Sequence, residues 1–304
     1  HGAGPDCNLS ALSARKDEVV STLRSGMTQG LKAAKVAVIP LRAVVTGPHA
    51  VRAGGETYMG ETILVAAGSV PARPPIPGLD LPGVVTSDEL LDQVRPRNSL
   101  VIIGGGVVGV ECASIYHCLG CEVTVLEAAD HILPFMDREI AQRLTMILKK
   151  RGVEVYPSSM VSAVEKTEDG TLSVHYTNKG EEKAAQGEAV LCAIGRRPNT
   201  AGLFGEGFTV EMERGRILTD ENFQTSVPGI YAVGDVAARI QLAHVASAQG
   251  TACVEKLAGK TSPANLALIP SCIYTSPEIA CIGITADEAK AAGRAVKVGK
   301  FVMF

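Results

Sequence analysis

The sequence predicts an α/β fold, and three features of it carry that prediction. Short apolar runs such as Leu100–Ile103 and Val123–Leu126 have the length and composition of buried strands. Segments with helical spacing of apolar residues follow them, one between these two runs and one after Asp137. Glycine-rich turns stand at the ends of apolar runs. Strands and helices in alternation indicate a parallel sheet covered by helices.

A glycine pattern follows the first of these apolar runs. Gly104, Gly106 and Gly109 form a G-x-G-x-x-G motif, and a helix begins just inside it at Val107 and Val108. In such a motif the first glycine makes a tight turn, the second lets the backbone approach a pyrophosphate, and the third lets the helix pack closely on the strand. The unpaired N–H groups of the helix N-terminus attract phosphate. The stretch therefore predicts a dinucleotide site; the alternative is a βα turn that holds no ligand.

An acidic residue ends the second apolar run. Glu127 lies 18 residues after Gly109, where a carboxylate can accept hydrogen bonds from both ribose hydroxyls. A carboxylate there repels the 2′-phosphate of NADP, and residues 128–130 contain no Arg or Lys to attract it. His131 is the one nearby residue that could do so. The sequence therefore predicts NAD as the nucleotide.

Composition excludes several classes of protein. The chain has 304 residues, 46% hydrophobic and 20% charged, with a net charge of −3, which gives no indication of nucleic-acid or anionic-membrane binding. Its eight cysteines are scattered, which favours reduced thiols in a cytoplasmic protein over a disulfide framework. The chain starts at His1 and stops within an apolar run at Phe304, so we expect it to be a piece of a longer protein.

The region before the glycine motif has its own pattern. We expect an amphipathic helix at Ser10–Leu31 and a Pro-rich domain linker at Pro74–Gly78. The predicted strands between them form a β-meander: Val36–Ile39, Ala43–Val45, Ala50–Arg52 and Thr62–Ala66.

The region after the motif continues the alternation. A helix capped by Asp137 and ended by Gly152 is expected, then a hairpin turning at Asp169-Gly170. The predicted strands are Val153–Tyr156, Val161–Lys166, Leu172–Tyr176, Ala189–Ile194, Ile217–Thr219, Gly229–Val233 and Cys272–Tyr274. Two further helices are predicted, at Leu242–Leu257 and near Ala286–Ala292.

Several separate segments resemble one family. They are Ala66–Ser69, Gly104–Asp137, Ala193–Thr200, Ile230–Asp235 with Leu242–His244, and Tyr274–Ala280. On these residues the chain resembles the flavoprotein disulfide reductases, and most closely their dihydrolipoamide dehydrogenase branch. The resemblance implies two Rossmann-like three-layer domains that bind FAD and NAD, plus the start of an α+β interface (dimerisation) domain. It implies a first FAD segment at 1–80, an NAD domain at 81–200, a second FAD segment at 201–267 and a truncated interface domain at 268–304.

The same resemblance assigns roles on the flavin side. It implies that Asp235, after Gly234, accepts a hydrogen bond from the ribityl chain of FAD. Leu242, Ala243 and His244 would begin a helix whose N–H groups face the flavin, although His244 fits a structural role equally well. Contacts to FAD are also implied for the turn residues Ala66, Ala67 and Gly68.

On the NAD side the resemblance assigns four further residues. Glu111 matches a glutamate near the nicotinamide, with a solvated helix acid as the alternative. Val161 matches a residue of the adenine pocket, with an ordinary core valine as the alternative. Gly195 and Arg196 match a crossing point where the backbone approaches NAD and the arginine packs between domains.

A C-x-x-C pair at Cys118 and Cys121 requires a separate interpretation. In isolation such a pair suggests redox chemistry. Here it spans the end of a helix and the start of a strand, so we expect two core-facing thiols instead.

The family's catalytic groups are missing from this sequence. The redox pair is C-x4-C, and no two cysteines have that spacing; the His-Glu acid–base pair lies near the family's C-terminus. We therefore assign no catalytic residue and no metal site. The implied whole protein is a homodimeric FAD enzyme that passes electrons from a dithiol, on a lipoyl-bearing protein or a small molecule, to NAD. Alternatives are a mercuric or coenzyme A-disulfide reductase, an NAD-binding module without turnover, and a truncated interaction subunit.

Overall fold

A computed structural model of the chain describes residues 7–301. These residues form two compact units. Unit 1 contains residues 7–9, 71–195 and 268–301, and unit 2 contains residues 10–70 and 196–267. Each unit has its own hydrophobic core.

The secondary structure alternates as the α/β prediction requires. The helices are α1 (Leu9–Ala33), α2 (Ser87–Asp92), α3 (Val107–Cys118), α4 (Arg138–Arg151), α5 (Ala243–Leu257) and α6 (Ala286–Ala291). The first nine strands are β1 (Ala43–Gly47), β2 (Ala50–Ala53), β3 (Glu56–Met59), β4 (Ile63–Val65), β5 (Ser69–Pro71), β6 (Val84–Val85), β7 (Ser99–Ile103), β8 (Glu122–Leu126) and β9 (Glu154–Tyr156). The remaining strands are β10 (Ser159–Lys166), β11 (Leu172–Asn178), β12 (Glu181–Gly187), β13 (Ala189–Cys192), β14 (Arg196–Pro198), β15 (Met212–Glu213), β16 (Arg216–Ile217), β17 (Ile230–Ala232), β18 (Pro270–Ile273) and β19 (Ile279–Ile282).

Unit 1 is built on a five-stranded sheet. Its strand order is β6-β13-β7-β8-β9, and its strand pairs are parallel. Leu100 and Ile102 of β7 belong to a core cluster with residues of α3 and α4. Val101 and Ile103 belong to a second cluster with β10 and β11. Both faces of β7 are buried, which is why its sequence is a continuous apolar run without alternation.

The second face of the sheet is covered by an antiparallel meander. The predicted hairpin is confirmed, since Lys166 pairs with Leu172 across the Asp169-Gly170 turn. A third strand, β12, pairs with β11 and was not predicted. Five of its seven residues are exposed, so it lacks the apolar residues that identified the other strands.

Helix α4 begins after Asp137 and ends at Gly152, as predicted, but Asp137 does not cap it through its side chain. Asp137 occupies the N-cap position, but its side chain makes no capping hydrogen bond. Its Oδ1 atom instead accepts the N–H of Ala286 at 3.0 Å. Gly152 ends the helix in a left-handed conformation with φ +107°, and Val153 N–H donates back to Leu148 O.

The predicted linker is wrong in position. The boundary between the units falls after Val70 rather than at Pro74–Gly78. Pro77 O accepts the N–H of Val164 at 2.9 Å, and Leu79, which follows the segment, is buried in the core. The prolines therefore fix an extended segment against β10.

Unit 2 begins with the predicted helix α1, which buries no side chain. A three-stranded antiparallel sheet, β1-β2-β3, confirms the predicted meander only for Ala43–Val45 and Ala50–Arg52, because its third strand, β3, was not predicted. The expected strand at Val36–Ile39 is absent, and these residues are exposed and unpaired with any strand of the described chain. Thr62–Ala66 contributes β4, but this strand pairs in parallel with β17 rather than joining the meander.

The last segment of the described chain lies in unit 1. Strands β18 and β19 form an antiparallel hairpin, and Ile273 at the end of β18 is fully buried in the cluster that contains α3. Over residues 7–301, no helix combines the length and the apolar character needed to span a membrane.

Candidate dinucleotide-binding site

The glycine turn connects β7 to α3 at the carboxyl edge of the parallel sheet. Gly104 has φ +109°, and its N–H donates to Leu126 O at 2.8 Å. A Cβ atom on Gly104 would lie 2.5 Å from Ala193 O. Both the left-handed backbone and the proximity of β13 therefore require glycine at this position.

The other two glycines of the motif have opposite surroundings. A Cβ atom on Gly109 would lie 1.9 Å from Gly104 O, so α3 packs directly on the turn. A Cβ atom on Gly106 would have nothing within 4 Å. Space is therefore left open beside Gly106, the N-cap of α3. Val107 and Val108 form the first turn of the helix, where backbone N–H groups have no partner within the helix, and their side chains pack against the core cluster.

Glu127 is buried and holds the turn together. Its Oε2 accepts the N–H of Gly105 at 2.6 Å, and its Oε1 accepts the N–H of Ala129 at 2.7 Å. The sequence suggested only a contact with ribose, and nothing in it pointed to these backbone partners. Each carboxylate oxygen keeps a second lone pair, so the geometry leaves room for hydroxyl donors as well.

Asp130, three residues after Glu127, is paired with two basic side chains. Asp130 accepts hydrogen bonds from His131 Nδ1 at 2.5 Å and from Arg138 at 2.8 Å. These two bonds hold the pKa of the Asp130 carboxyl below its usual value. His131, the nearby residue that could attract a 2′-phosphate, is thus paired with an acid. Arg138, which lies outside the stretch 128–131, is paired with the same acid.

Two further NAD-side residues have distinct environments. Val161 is buried in the core cluster with Leu126 and Tyr176, which fits the alternative of an ordinary core valine. Gly195 is exposed at the end of β13, and a Cβ atom there would have nothing within 4 Å. Its carbonyl accepts the N–H of Ala72.

Arg196 belongs to unit 2, where it contacts Ser69, the residue after the flavin-side turn. Its Nε donates to Ser69 Oγ at 2.7 Å, and its terminal nitrogen donates to Ser69 O at 2.8 Å. The Ser69 hydroxyl donates in turn to Asp235 Oδ2 at 2.6 Å. Ser69, to which no sequence motif assigns a role, therefore joins Arg196 to Asp235.

The neighbouring turns of unit 2 are held by polar side chains. Asn199 donates its side-chain amide to Ala67 O and its backbone N–H to Gly68 O; Ala66 is exposed. Gly234 donates its N–H to Gln249 Oε1 at 2.8 Å, which ties the turn before Asp235 to α5.

Helix α5 starts near Asp235. Leu242 is its N-cap and Ala243 its first residue. His244 is exposed at the start of the helix. The amino end of α5 carries the partial positive charge that the resemblance places near a flavin.

Glu111 has a partner that the sequence did not indicate. Its Oε1 accepts the backbone N–H of Tyr274 at 2.8 Å. It is therefore not a freely solvated helix acid, and its contact is with the hairpin segment of unit 1.

The C-x-x-C pair runs from the last residue of α3 to the residue before β8. Cys118 is exposed, so the expectation of two core-facing thiols is wrong for this residue, while Cys121 is buried. Burial, with a smaller effect of the Glu188 charge, raises the pKa of Cys121 to about 11. A thiol that stays protonated is a poor nucleophile.

Comparison with known proteins decides the family. Residues 3–250 match the family described as pyridine nucleotide-disulphide oxidoreductase. The chain belongs to this family. Residues 269–303 match its dimerisation domain. The family consists of enzymes that use FAD and NAD(H).

Relatives and solved structures agree with this assignment. Dihydrolipoyl dehydrogenase of Bacillus subtilis is 38% identical over 98% of this chain and 66% of its own length. That of Thermus scotoductus is 38% identical over 98% of this chain and 65% of its own. The Mycobacterium tuberculosis LpdA structure superposes with a TM-score of 0.84 at 29% identity, covering 95% of this chain and 65% of that one.

A structure of another kind of reductase is also similar. The HOCl-induced flavoprotein disulfide reductase RclA of Escherichia coli has a TM-score of 0.81 at 32% identity, covering 92% of this chain and 65% of that one. The chain thus spans about 65% of the length of the proteins that it matches.

Proposed function

We propose that this chain binds NAD at the glycine turn and forms part of an FAD-dependent oxidoreductase similar to dihydrolipoyl dehydrogenase. The observation that carries the proposal is the open space beside Gly106 at the N-terminus of α3. At the neighbouring Gly109 there is no such space, because a Cβ atom would lie 1.9 Å from the backbone oxygen of Gly104. The contrast is what a pyrophosphate site requires, with close packing below the helix and an empty approach at its first turn.

The NAD-side residues would act as follows. The N–H groups of Val107 and Val108 would donate to the pyrophosphate, aided by the helix dipole. Glu127 would accept ribose hydroxyls with its remaining lone pairs while it holds Gly105 in place. Its negative charge would disfavour a 2′-phosphate, and His131 and Arg138, both paired with Asp130, would not offset it. The backbone at Gly195 would approach NAD, whereas the burial of Val161 supports its alternative role as a core valine.

The flavin-side residues fit their proposed role in part. The carboxylate of Asp235 is oriented by Ser69 and, through it, by Arg196. It would accept the ribityl hydroxyl through a lone pair that Ser69 leaves available. The amino end of α5, from Leu242 to His244, would stabilise negative charge on the ring. Ala66, Ala67, Gly68 and Gly234 would border the same ligand.

The proposed reaction of the whole protein oxidises a dithiol to a disulfide and reduces NAD. Bound FAD would supply the electron transfer between the two. The residues described here would bind and orient the two cofactors. They include no assigned nucleophile or acid–base pair, because all eight cysteines are unpaired and none has C-x4-C spacing.

The test is NAD binding by the Gly106→Ala variant. We expect the added methyl group to occupy the pyrophosphate approach and to weaken NAD binding at least tenfold in calorimetric titration. Stability should change little, since the φ of −72° at Gly106 suits alanine and no atom lies within 4 Å. Gly30→Ala on α1, also without neighbours within 4 Å, is the matched control and should bind NAD normally.

Wild-type affinity in Gly106→Ala would contradict the proposed site. Absence of NAD binding by the unaltered chain would contradict the proposed function itself. Tighter binding of NADP than of NAD would contradict the role given to Glu127.

The proposal extends to organisation and partners. Segments 1–80 and 201–267 would supply the FAD domain, 81–200 the NAD domain and 268–304 the start of the interface domain, except that residues 71–80 belong to unit 1 and residues 196–200 to unit 2. The match of residues 269–303 to a dimerisation domain supports a homodimer. A lipoyl-bearing protein would be the dithiol partner, as the names of the relatives suggest. Eight unpaired cysteines suit the reducing cytoplasm.

A second candidate is another disulfide reductase of the same family. The similarity to RclA, described as a flavoprotein disulfide reductase, favours keeping it. Turnover assays of the full-length gene product with dihydrolipoamide and with other thiols and disulfides would separate the two. An NAD-binding chain without turnover is the remaining possibility, and NAD-dependent stabilisation without bound flavin would support it.

A further inference from the structure

Glu111 joins two parts of unit 1 that are far apart in sequence. It lies in α3, four residues after Val107 and three after Val108, so it shares a helix face with the first turn. Its carboxylate accepts the backbone N–H of Tyr274, 163 residues away, at 2.8 Å. A charge-assisted hydrogen bond thus runs from the nucleotide-binding helix to the end of β18.

Apolar packing reinforces the same junction. Ile273, adjacent to Tyr274, is fully buried in the cluster against which Val107 and Val108 pack. Ile279 and Cys281 of β19 pack against this cluster as well. The β18–β19 hairpin therefore rests on the helix whose first turn borders the open space at Gly106.

Three other polar contacts tie the C-terminal segment to α4 rather than to α3. Asp137, at the start of α4, accepts the N–H of Ala286, and Arg151 at the end of α4 donates to Ser276 O. Lys300 pairs with Glu139 of α4 at 2.6 Å. The bond from Glu111 joins this segment to the nucleotide-binding helix, whereas these three contacts join it to α4.

We infer that Glu111 is a positioning residue that couples NAD binding at the glycine turn to docking of the β18–β19 hairpin. A ligand that orders the first turn of α3 also fixes the Glu111 carboxylate, and the docked hairpin fixes the same carboxylate from the other side. Coupling between two sites is reciprocal, so each event strengthens the other by the same factor. The inference rests on the proposed NAD site but gives Glu111 a partner other than the nicotinamide.

The test is hydrogen–deuterium exchange at the Tyr274 amide in the full chain, with and without saturating NAD. We expect NAD to slow this exchange about tenfold in the wild type, within the usual range of coupling between sites. Glu111→Gln keeps an oxygen that can accept the bond and should retain most of the effect. Glu111→Ala should lose it and should bind NAD several-fold more weakly.

Asp137→Ala is the matched control, because it removes a contact of the C-terminal segment without touching α3. It should speed exchange at Ala286 yet keep the NAD effect at Tyr274. An NAD effect at Tyr274 that survives in Glu111→Ala would overturn the inference, as would NAD binding in the wild type with no change at Tyr274. Failure of the wild type to bind NAD would instead refute the proposed function, and titration distinguishes the two outcomes.

Discussion

Glu127 combines a structural and a binding role in one buried carboxylate. Its two oxygens accept backbone N–H groups on either side of it in space, from the glycine turn and from the segment after β8. Loss of the carboxylate removes the acceptor for both donors, Gly105 in the turn and Ala129 after β8. A binding residue of this kind contributes to stability before any ligand arrives.

We predict that Glu127→Gln lowers the free energy of unfolding by about 2 kcal/mol, because an amide offers one acceptor oxygen where the carboxylate offers two. Selectivity for NAD over NADP should fall in the same variant. Urea unfolding and parallel titrations with the two nucleotides measure the effects. Glu122→Gln, at the exposed start of the same strand, should leave both unchanged. Equal stability of the two variants would show that the backbone bonds of Glu127 contribute nothing.

A second prediction at the residue scale concerns how two buried thiols make stability depend on pH. Burial is the main cause that raises the pKa values of Cys112 and Cys121 to about 11. In the unfolded chain the same thiols ionise near their ordinary value of about 8.5. Between these values the unfolded state has lost protons that the folded state keeps, so stability falls as pH rises from about 9 to 11.

A Cys112→Ala/Cys121→Ala double variant should lose part of this alkaline dependence. Urea unfolding at a series of pH values from 8 to 10.5 measures the slope for each protein. Cys118→Ala, which removes the exposed partner of the C-x-x-C pair, should leave the slope as it is. An identical slope in the double variant and the wild type would refute the assignment to these two thiols.

At the scale of elements, helix α4 shows how local sequence sets a boundary. Gly152 adopts φ +107°, and the N–H groups of Gly152 and Val153 satisfy the last carbonyls of the helix. Ala at this position would force a Cβ into the left-handed region.

We therefore predict that Gly152→Ala costs about 1 kcal/mol of stability. Gly299→Ala, at a position without a left-handed φ and without neighbours within 4 Å, should change stability by less than about 0.5 kcal/mol. Chemical denaturation of both variants is the measurement. A neutral effect at Gly152 would mean that the end of α4 adjusts its backbone at no cost.

At the scale of the whole molecule, the two units have separate cores. The proposed NAD residues, apart from Arg196, belong to unit 1, and the proposed flavin residues belong to unit 2. A ligand that binds one folded unit stabilises that unit by mass action.

Calorimetry should accordingly show an NAD-dependent rise in the unfolding temperature of one transition, with about 2.7 kcal/mol gained at an NAD concentration of one hundred times Kd. The transition assigned to unit 2 should stay where it is. At the same NAD concentration the Gly106→Ala variant should keep at most about half of this gain, about 1.4 kcal/mol, because its binding is at least tenfold weaker. A uniform shift of the entire unfolding profile would contradict separate unfolding of the units.

Local patterns were sufficient for much of the fold. The apolar runs of β7, β8 and β13 and the glycine that ends α4 could be identified because their residue types are dictated by burial or by backbone geometry within a few residues. Strand β12 was missed because its exposed polar residues carry no such requirement. Val36–Ile39 was wrongly assigned because an apolar run needs a partner strand, and no strand of the described chain pairs with it.

The sequence by itself determined the α/β class, the glycine turn and the acid at the end of β8, because these follow from short-range chemistry. Only the tertiary structure decided what those groups contact. In the tertiary structure Glu127 accepts hydrogen bonds from two backbone N–H groups, Glu111 accepts one from Tyr274, and Arg196 donates to Ser69. Glu111 and Arg196 meet partners 163 and 127 residues away, and such partners are set by how strands and helices pack. A spacing rule within one segment has no information about that packing.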